Sequence, residues 1–196
     1  MSQLSPFLNV LIERKKRILW VSWFGFLLSF VLYTIAAYLG TTSQRPSQLD
    51  NTILLGAVGF AIVAGACSLI IPRVIYGETK LRKMLIEIPK IEGLAKSREG
   101  RIDENLLNEL KSLTLDEQRM YSIFSCYTSW YVVNGAIVDL IAVIGLVPAI
   151  LGVDFITYFY FGIPALVLKI LHYPRPNTLL ESIKLRAQKD AAHKEC

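Results

Sequence analysis

The sequence predicts an all-α integral membrane protein: a four-transmembrane-helix bundle of two tandem, like-oriented helical hairpins, with short cytoplasmic helices. Three observations lead there. The first is composition: 53% of the 196 residues are hydrophobic and 19% are charged. The charges are also segregated, since residues 18–39 and 51–71 contain no Asp, Glu, Lys or Arg. Apolar runs of about 18 residues or more are long enough to cross a bilayer core, whereas helices on a soluble core alternate apolar and polar faces.

The second observation is where the basic residues fall. All of the 21 Lys and Arg residues except Arg45 lie in 1–17, 72–119 or 169–196. The third is a faint repeat. Pro72-Arg73 followed by Glu78-Thr79-Lys80-Leu81-Arg82 is echoed by Pro174-Arg175 and Glu181-Ser182-Ile183-Lys184-Leu185-Arg186. A tandem duplication of one hairpin would produce this pattern, with any symmetry axis along the membrane normal.

The elements follow in chain order. Residues 1–17 form a cytoplasmic lead-in. Ser5 and Pro6 are a helix start; Leu4, Phe7, Leu8 and Leu11 share a face ahead of Arg14 to Arg17. This predicts either an interfacial amphipathic helix or a simple helical approach to the first span. Residues 18–71 are the first hairpin, with spans at 18–39 and 51–71. The first span outlasts a typical signal-peptide core and lacks a good cleavage site, so it is expected to be a retained anchor.

Residues 72–119 form a cytoplasmic helical segment, interrupted near Pro89 and turning at residues 97–100. Asp103 is expected to cap a helix over 104–113, with Leu106, Leu107, Leu110 and Leu113 on one stripe. Thr114 and Glu117 have capping-box spacing at the start of the next helix. Residues 120–171 are the second hairpin, with spans at 132–151 and 153–171 and an aromatic, hydroxyl-rich extension over 120–131. Residues 172–196 are a basic tail, where Thr178 and Glu181 predict a second capping box.

The positive-inside rule places both termini and the central segment in the cytoplasm, most simply at a plasma (cytoplasmic) membrane. Trp20, Trp23, Tyr76, Trp130 and Tyr173 then mark the inner interface, and Tyr38 and Tyr158 the outer one. Cys67, Cys126 and Cys196 are odd in number and lack paired spacing, which predicts no disulfide framework.

Asp139 is the principal site candidate. It lies about 10 Å inside the inner edge of the third span at helical rise. A carboxylate there has to be buried, paired or protonated. Tyr131, Gly135, Asp139, Ala142 and Ala149 lie near one stripe, with Asn134 beside it. Facing candidates are Ser22, Gly25, Ser29 and Tyr33 on span one, and Ala57, Ala61 and Gly65 on span two. On span four they are Tyr158, Gly162, Ala165, Lys169 and His172. Lys169, about 4 Å from the inner edge, is expected to snorkel to the headgroups; the alternative is to reach inward to Asp139. His172 and His193 stand apart from carboxylate and cysteine clusters, so no metal role is expected.

Arg73, Lys80, Arg82, Arg175, Lys184 and Arg186 sit where they can meet anionic headgroups or an acidic partner. With so little of the chain projecting outward, partners are expected from the cytoplasm, the lipid surface or neighbouring membrane subunits, including a second copy. Nothing points to nucleic acid. The absence of a catalytic constellation, metal motif or nucleotide motif predicts a non-enzymatic protein without a cofactor. Its expected role is a scaffold or accessory subunit of a membrane complex. The alternative is a small proton- or cation-coupled transporter or channel using Asp139.

Overall fold

A computed structural model describes residues 5–43, 51–75, 83–85, 87–96, 102–151 and 155–192. Apart from one isolated bridge between Lys96 and Ile102, the regular structure among them is helical. The helices are α1 (Pro6–Ser43), α2 (Asn51–Ile75), α3 (Ile91–Leu94), α4 (Glu104–Ser112), α5 (Leu115–Ile150), α6 (Phe155–Leu171) and α7 (Pro176–Ala192). By length and composition three of them, α1, α2 and α5, can cross a membrane, and the count is four when α6 is taken together with α7. α6 has 17 residues, about 25 Å at helical rise, and the expected start of its span at 153 falls outside the described residues.

The chain divides into two compact units, one formed by Met1–Leu19, Val74–Trp130 and Arg175–Cys196, the other by Trp20–Arg73 and Tyr131–Pro174. The cuts fall close to the predicted span edges, and α1 and α5 contribute to both units.

The first unit is organised by helix starts. Ser5 caps α1, its Oγ accepting from the Leu8 amide at 3.3 Å, and Pro6 occupies the first turn with its φ already set for a helix. Leu8, Leu11 and Ile12 are buried, so the predicted apolar face packs within the protein. α1 continues unbroken for 38 residues, so the N-terminal stretch and the first apolar run share one helix. Leu4 lies outside the described residues.

Asp103 caps α4 by accepting from the Leu106 amide at 3.1 Å. Leu110 and Leu113 of its stripe are buried, while Leu106 and Leu107 are half-buried. At the other end of α4, the Gln118 side chain donates to the carbonyls of Leu110 and Leu113, both at 3.0 Å. The Thr114–Glu117 box opens α5. Glu117 accepts from the Thr114 amide at 3.1 Å, and Thr114 Oγ1 accepts from the Glu117 amide at 3.4 Å.

α7 starts differently from expectation. It begins at Pro176, with the Leu179 amide donating to the Arg175 carbonyl at 3.2 Å. Thr178 is therefore already inside the first turn rather than capping it, because proline is preorganised for the first helical position.

The second unit is a packed set of apolar helices. Its main cluster joins Ala64 of α2, Val138, Ile141 and Ala142 of α5, and Phe161 and Ala165 of α6; Tyr33 of α1, Ala57 and Ala61 pack against it. Small residues permit the close approach. A Cβ on Gly145 would lie 2.5 Å from the Phe161 Cβ, and one on Gly162 would lie 3.1 Å from the Tyr158 ring. A second cluster joins Ala37, Ala149 and Tyr158.

One expectation fails here. Gly25 was expected on the packed face of span one, yet a Cβ there would meet nothing within 4 Å. Tyr158 lies on the inward face of α6, as expected. It is fully buried; its hydroxyl is hydrogen-bonded with Thr34 Oγ1 at 3.2 Å and donates to the Phe30 carbonyl at 3.4 Å. The opposite surfaces are apolar: Leu55 is 72% exposed and Phe24 60%. Side chains of this kind suit lipid contact, because exposed apolar area on this scale is rare on soluble monomers.

Candidate functional site

The second unit contains one ion pair among its described residues, Lys169 Nζ with Asp139 Oδ1. Helical periodicity puts both residues inside. On α5, Val138, Ile141 and Ala142 bury the stripe beside Asp139; on α6, Tyr158, Gly162, Ala165 and Lys169 form one buried face. The Lys169 side chain is only 2% exposed, against 16% for Asp139. Lys169 thus turns inward instead of snorkelling. The reason is local: Ser29 Oγ and the Phe26 carbonyl, both on α1, also accept from its ammonium. Three acceptors compensate the ammonium for the water it leaves.

Ser29 completes the arrangement by donating to Asp139 Oδ1 at 2.8 Å, and Lys169 Nζ lies 3.1 Å from the Ser29 oxygen. Three helices are thereby fastened through one contact group. Opposite charges in contact cancel, and the pair stays net neutral whichever atom holds the shared proton. That neutrality is what allows a carboxylate and an amine to sit inside an apolar helix set.

Asn134, the third intramembrane candidate, is one turn from Val138 and is 6% exposed. Its Oδ1 is buried without a hydrogen-bond partner. It lines a cavity of about 10 Å³ together with Trp23, Phe26, Tyr131, Gly135, Val138, Lys169 and His172. That is room for about one water molecule, too little for an organic substrate.

Trp23 was not read from the sequence as part of the site, whereas His172 was placed on the facing side of span four. Trp23 donates its indole N–H to the Lys169 carbonyl at 3.3 Å and stacks edge-on with Trp20 and Tyr173. Its aromatic character was visible in the sequence; its hydrogen bond was not. His172 places Nδ1 2.6 Å from the Leu168 carbonyl and Nε2 3.1 Å from the Ser68 carbonyl. Both ring nitrogens are thus engaged with α6 and α2. Among the described residues no group of three or more His, Cys, Asp or Glu side chains could hold a metal, and His193 lies outside them.

Of the basic candidates, Arg175 is exposed. Arg73, Lys184 and Arg186 lie on α2 and α7, with only their backbones described; Lys80 and Arg82 lie outside the described residues. In the first unit, Lys15 donates to Ser125 Oγ at 3.2 Å and lies 5.9 Å from the Tyr121 ring centre. Glu117 accepts from the Ser5 amide at 2.8 Å as well as from Thr114. Burial opposes its ionisation, but the hydrogen bonds from Ser5 and Thr114 prevail and hold its carboxyl below the ordinary value.

No protein-family model matches the chain, and neither a curated protein nor a solved structure matches it.

Proposed function

We propose that the chain is a four-span, non-enzymatic membrane protein acting as a scaffold or accessory subunit of a membrane complex. In this reading both termini and the central segment face the cytoplasm, in a plasma (cytoplasmic) membrane. The four spans form two tandem, like-oriented hairpins. Lateral helix packing holds partner subunits or a second copy, and Arg73, Lys80, Arg82, Arg175, Lys184 and Arg186 dock on anionic headgroups or an acidic partner.

The observation that carries this reading is the use made of Asp139. A transport carboxylate has to exchange protons or ions with a water path. Here the carboxylate is taken up by Lys169 and Ser29, and the neighbouring cavity has room for about one water. Its contacts are those of a helix fastening.

The test is extraction of the native membrane in a gentle detergent, followed by mass measurement of the intact particle. The expected result is a particle of defined stoichiometry heavier than one chain. A homogeneous monomer without a second component overturns the proposal.

A further inference from the structure

The first unit holds a half-buried cation that no carboxylate faces. The Lys15 ammonium on α1 donates to Ser125 Oγ of α5 at 3.2 Å, and the centre of the Tyr121 ring is 5.9 Å away. Glu13, on the same turn of α1, is paired with Lys16 instead. The charge that bears on Lys15 is that of Arg14, which has the same sign. Among the described residues neither Lys15 nor Arg14 takes part in an ion pair. A partly desolvated ammonium beside a like charge is costly until an anion joins it.

The donors present set the class of that anion. An ammonium has three N–H groups, and the bond to Ser125 uses one of them. Ser125 accepts from Lys15 and so keeps its own O–H to give. The Arg14 side chain is exposed, and its charge acts on both Lys15 and Tyr121. An ammonium, a guanidinium and a hydroxyl are the donors that phosphate oxygens take. We propose that Lys15, Arg14 and Ser125 bind the phosphate of an anionic phospholipid headgroup.

The exposed side of α1 favours a lipid over a free phosphate. Arg14, Arg17, Val21, Phe24 and Leu28 recur at alternating steps of three and four residues, which places them on one helical stripe. All five are exposed. The stripe is charged up to Arg17 and apolar beyond it. A headgroup held at Arg14 therefore leaves its acyl chains the length of that apolar stripe, the arrangement expected of basic residues at the end of a span. A free phosphate would use the charged end alone. The site rests on the reading of the chain as membrane-embedded, and it is independent of the scaffold role.

The experiment titrates the full chain, in a neutral detergent, with phosphatidylglycerol or phosphatidylcholine and measures bound lipid by native mass spectrometry. The wild type is expected to bind phosphatidylglycerol more tightly. That affinity falls about tenfold in Lys15→Met, the scale of one hydrogen bond to a charged group, and by a smaller factor in Ser125→Ala. Phosphatidylcholine binding stays unchanged in both variants, which shows that they are folded. Excess inorganic phosphate does not displace the bound lipid. Equal affinities of the two lipids in the wild type, an unchanged phosphatidylglycerol affinity in Lys15→Met, or displacement by inorganic phosphate overturns the site. A monomer that keeps the lipid preference removes the scaffold reading and leaves this site standing, so the two fail separately.

Discussion

The ammonium of Lys169 on α6 is paired with the carboxylate of Asp139 on α5, and Ser29 of α1 is hydrogen-bonded to both. Asp139 and Lys169 come from consecutive helices, while Ser29 is more than a hundred residues from both, so the full contact forms only when α1 packs against α5 and α6. It also sets their rotation, because turning any of them moves a polar group into apolar surroundings. The consequences of such a fastening are asymmetric, which makes it testable.

Removing one partner strands the other. Lys169→Met or Asp139→Leu alone should cost about 3–5 kcal/mol, the usual penalty for an uncompensated buried charge. The double variant should recover a large part of that loss, since two apolar side chains leave no charge behind. Thermal unfolding in detergent across the four-member cycle measures the coupling. Additive losses would show that the pair fastens nothing.

The small residues give a second contrast. A methyl group at Gly145 would meet the Phe161 Cβ at 2.5 Å, an atom tied to the α6 backbone. Gly145→Ala should therefore destabilise by about 1–3 kcal/mol, as overpacking does. Gly25→Ala has open space around it and should be neutral or stabilising by up to about 1 kcal/mol through helix propensity. The order of the two melting temperatures decides the matter, and equal shifts would contradict the packing.

Much of this architecture was legible in the sequence for simple reasons. Charge-free runs of membrane length are a one-dimensional signal, and so are the caps at Asp103 and Thr114, where donor and acceptor are three residues apart. Asp139 was legible because a carboxylate in an apolar run is costly wherever it points. The direction of Lys169 was not. Its long stem reaches both the headgroups and the interior, and the choice rests on Ser29 and the Phe26 carbonyl, more than a hundred residues away in sequence. The partner of Tyr158 was hidden for a related reason: its place on the inward face of α6 followed from periodicity, but the hydroxyl partner, Thr34, lies more than a hundred residues away in sequence. Gly25 shares a helical stripe with Ser29, but a stripe does not say how far along it a neighbour extends.

Glu117 ties the start of α1 to the start of α5, and acid should release that tie. Its folded-state carboxyl is held below the ordinary glutamate value by Ser5 and Thr114. The stabilisation is therefore fully present above the ordinary value of about 4.3 and is lost as pH falls through the lower folded value. Limited proteolysis near residue 5 should accelerate on acidification in the wild type. Glu117→Gln, which cannot ionise, should cleave faster at neutral pH and show little further change with acid. Equal pH profiles would mean that another group controls the N-terminal helix.

The last prediction separates a fastening from a pathway. If Asp139 relayed protons or cations, Asp139→Asn would abolish a pH-dependent flux that the wild type carries. If it fastens helices, neither protein conducts, and the substitution acts on stability alone. The neutral amide keeps the shape of the carboxylate but gives Lys169 no counter-charge, so the ammonium is left buried among the Ser29 hydroxyl and the Phe26 carbonyl. Liposome flux and thermal stability should accordingly diverge: no measurable pH-driven flux in either protein, and a lowered melting temperature in Asp139→Asn. A wild-type flux lost on substitution would transfer the residue, and the protein with it, to the transporter class.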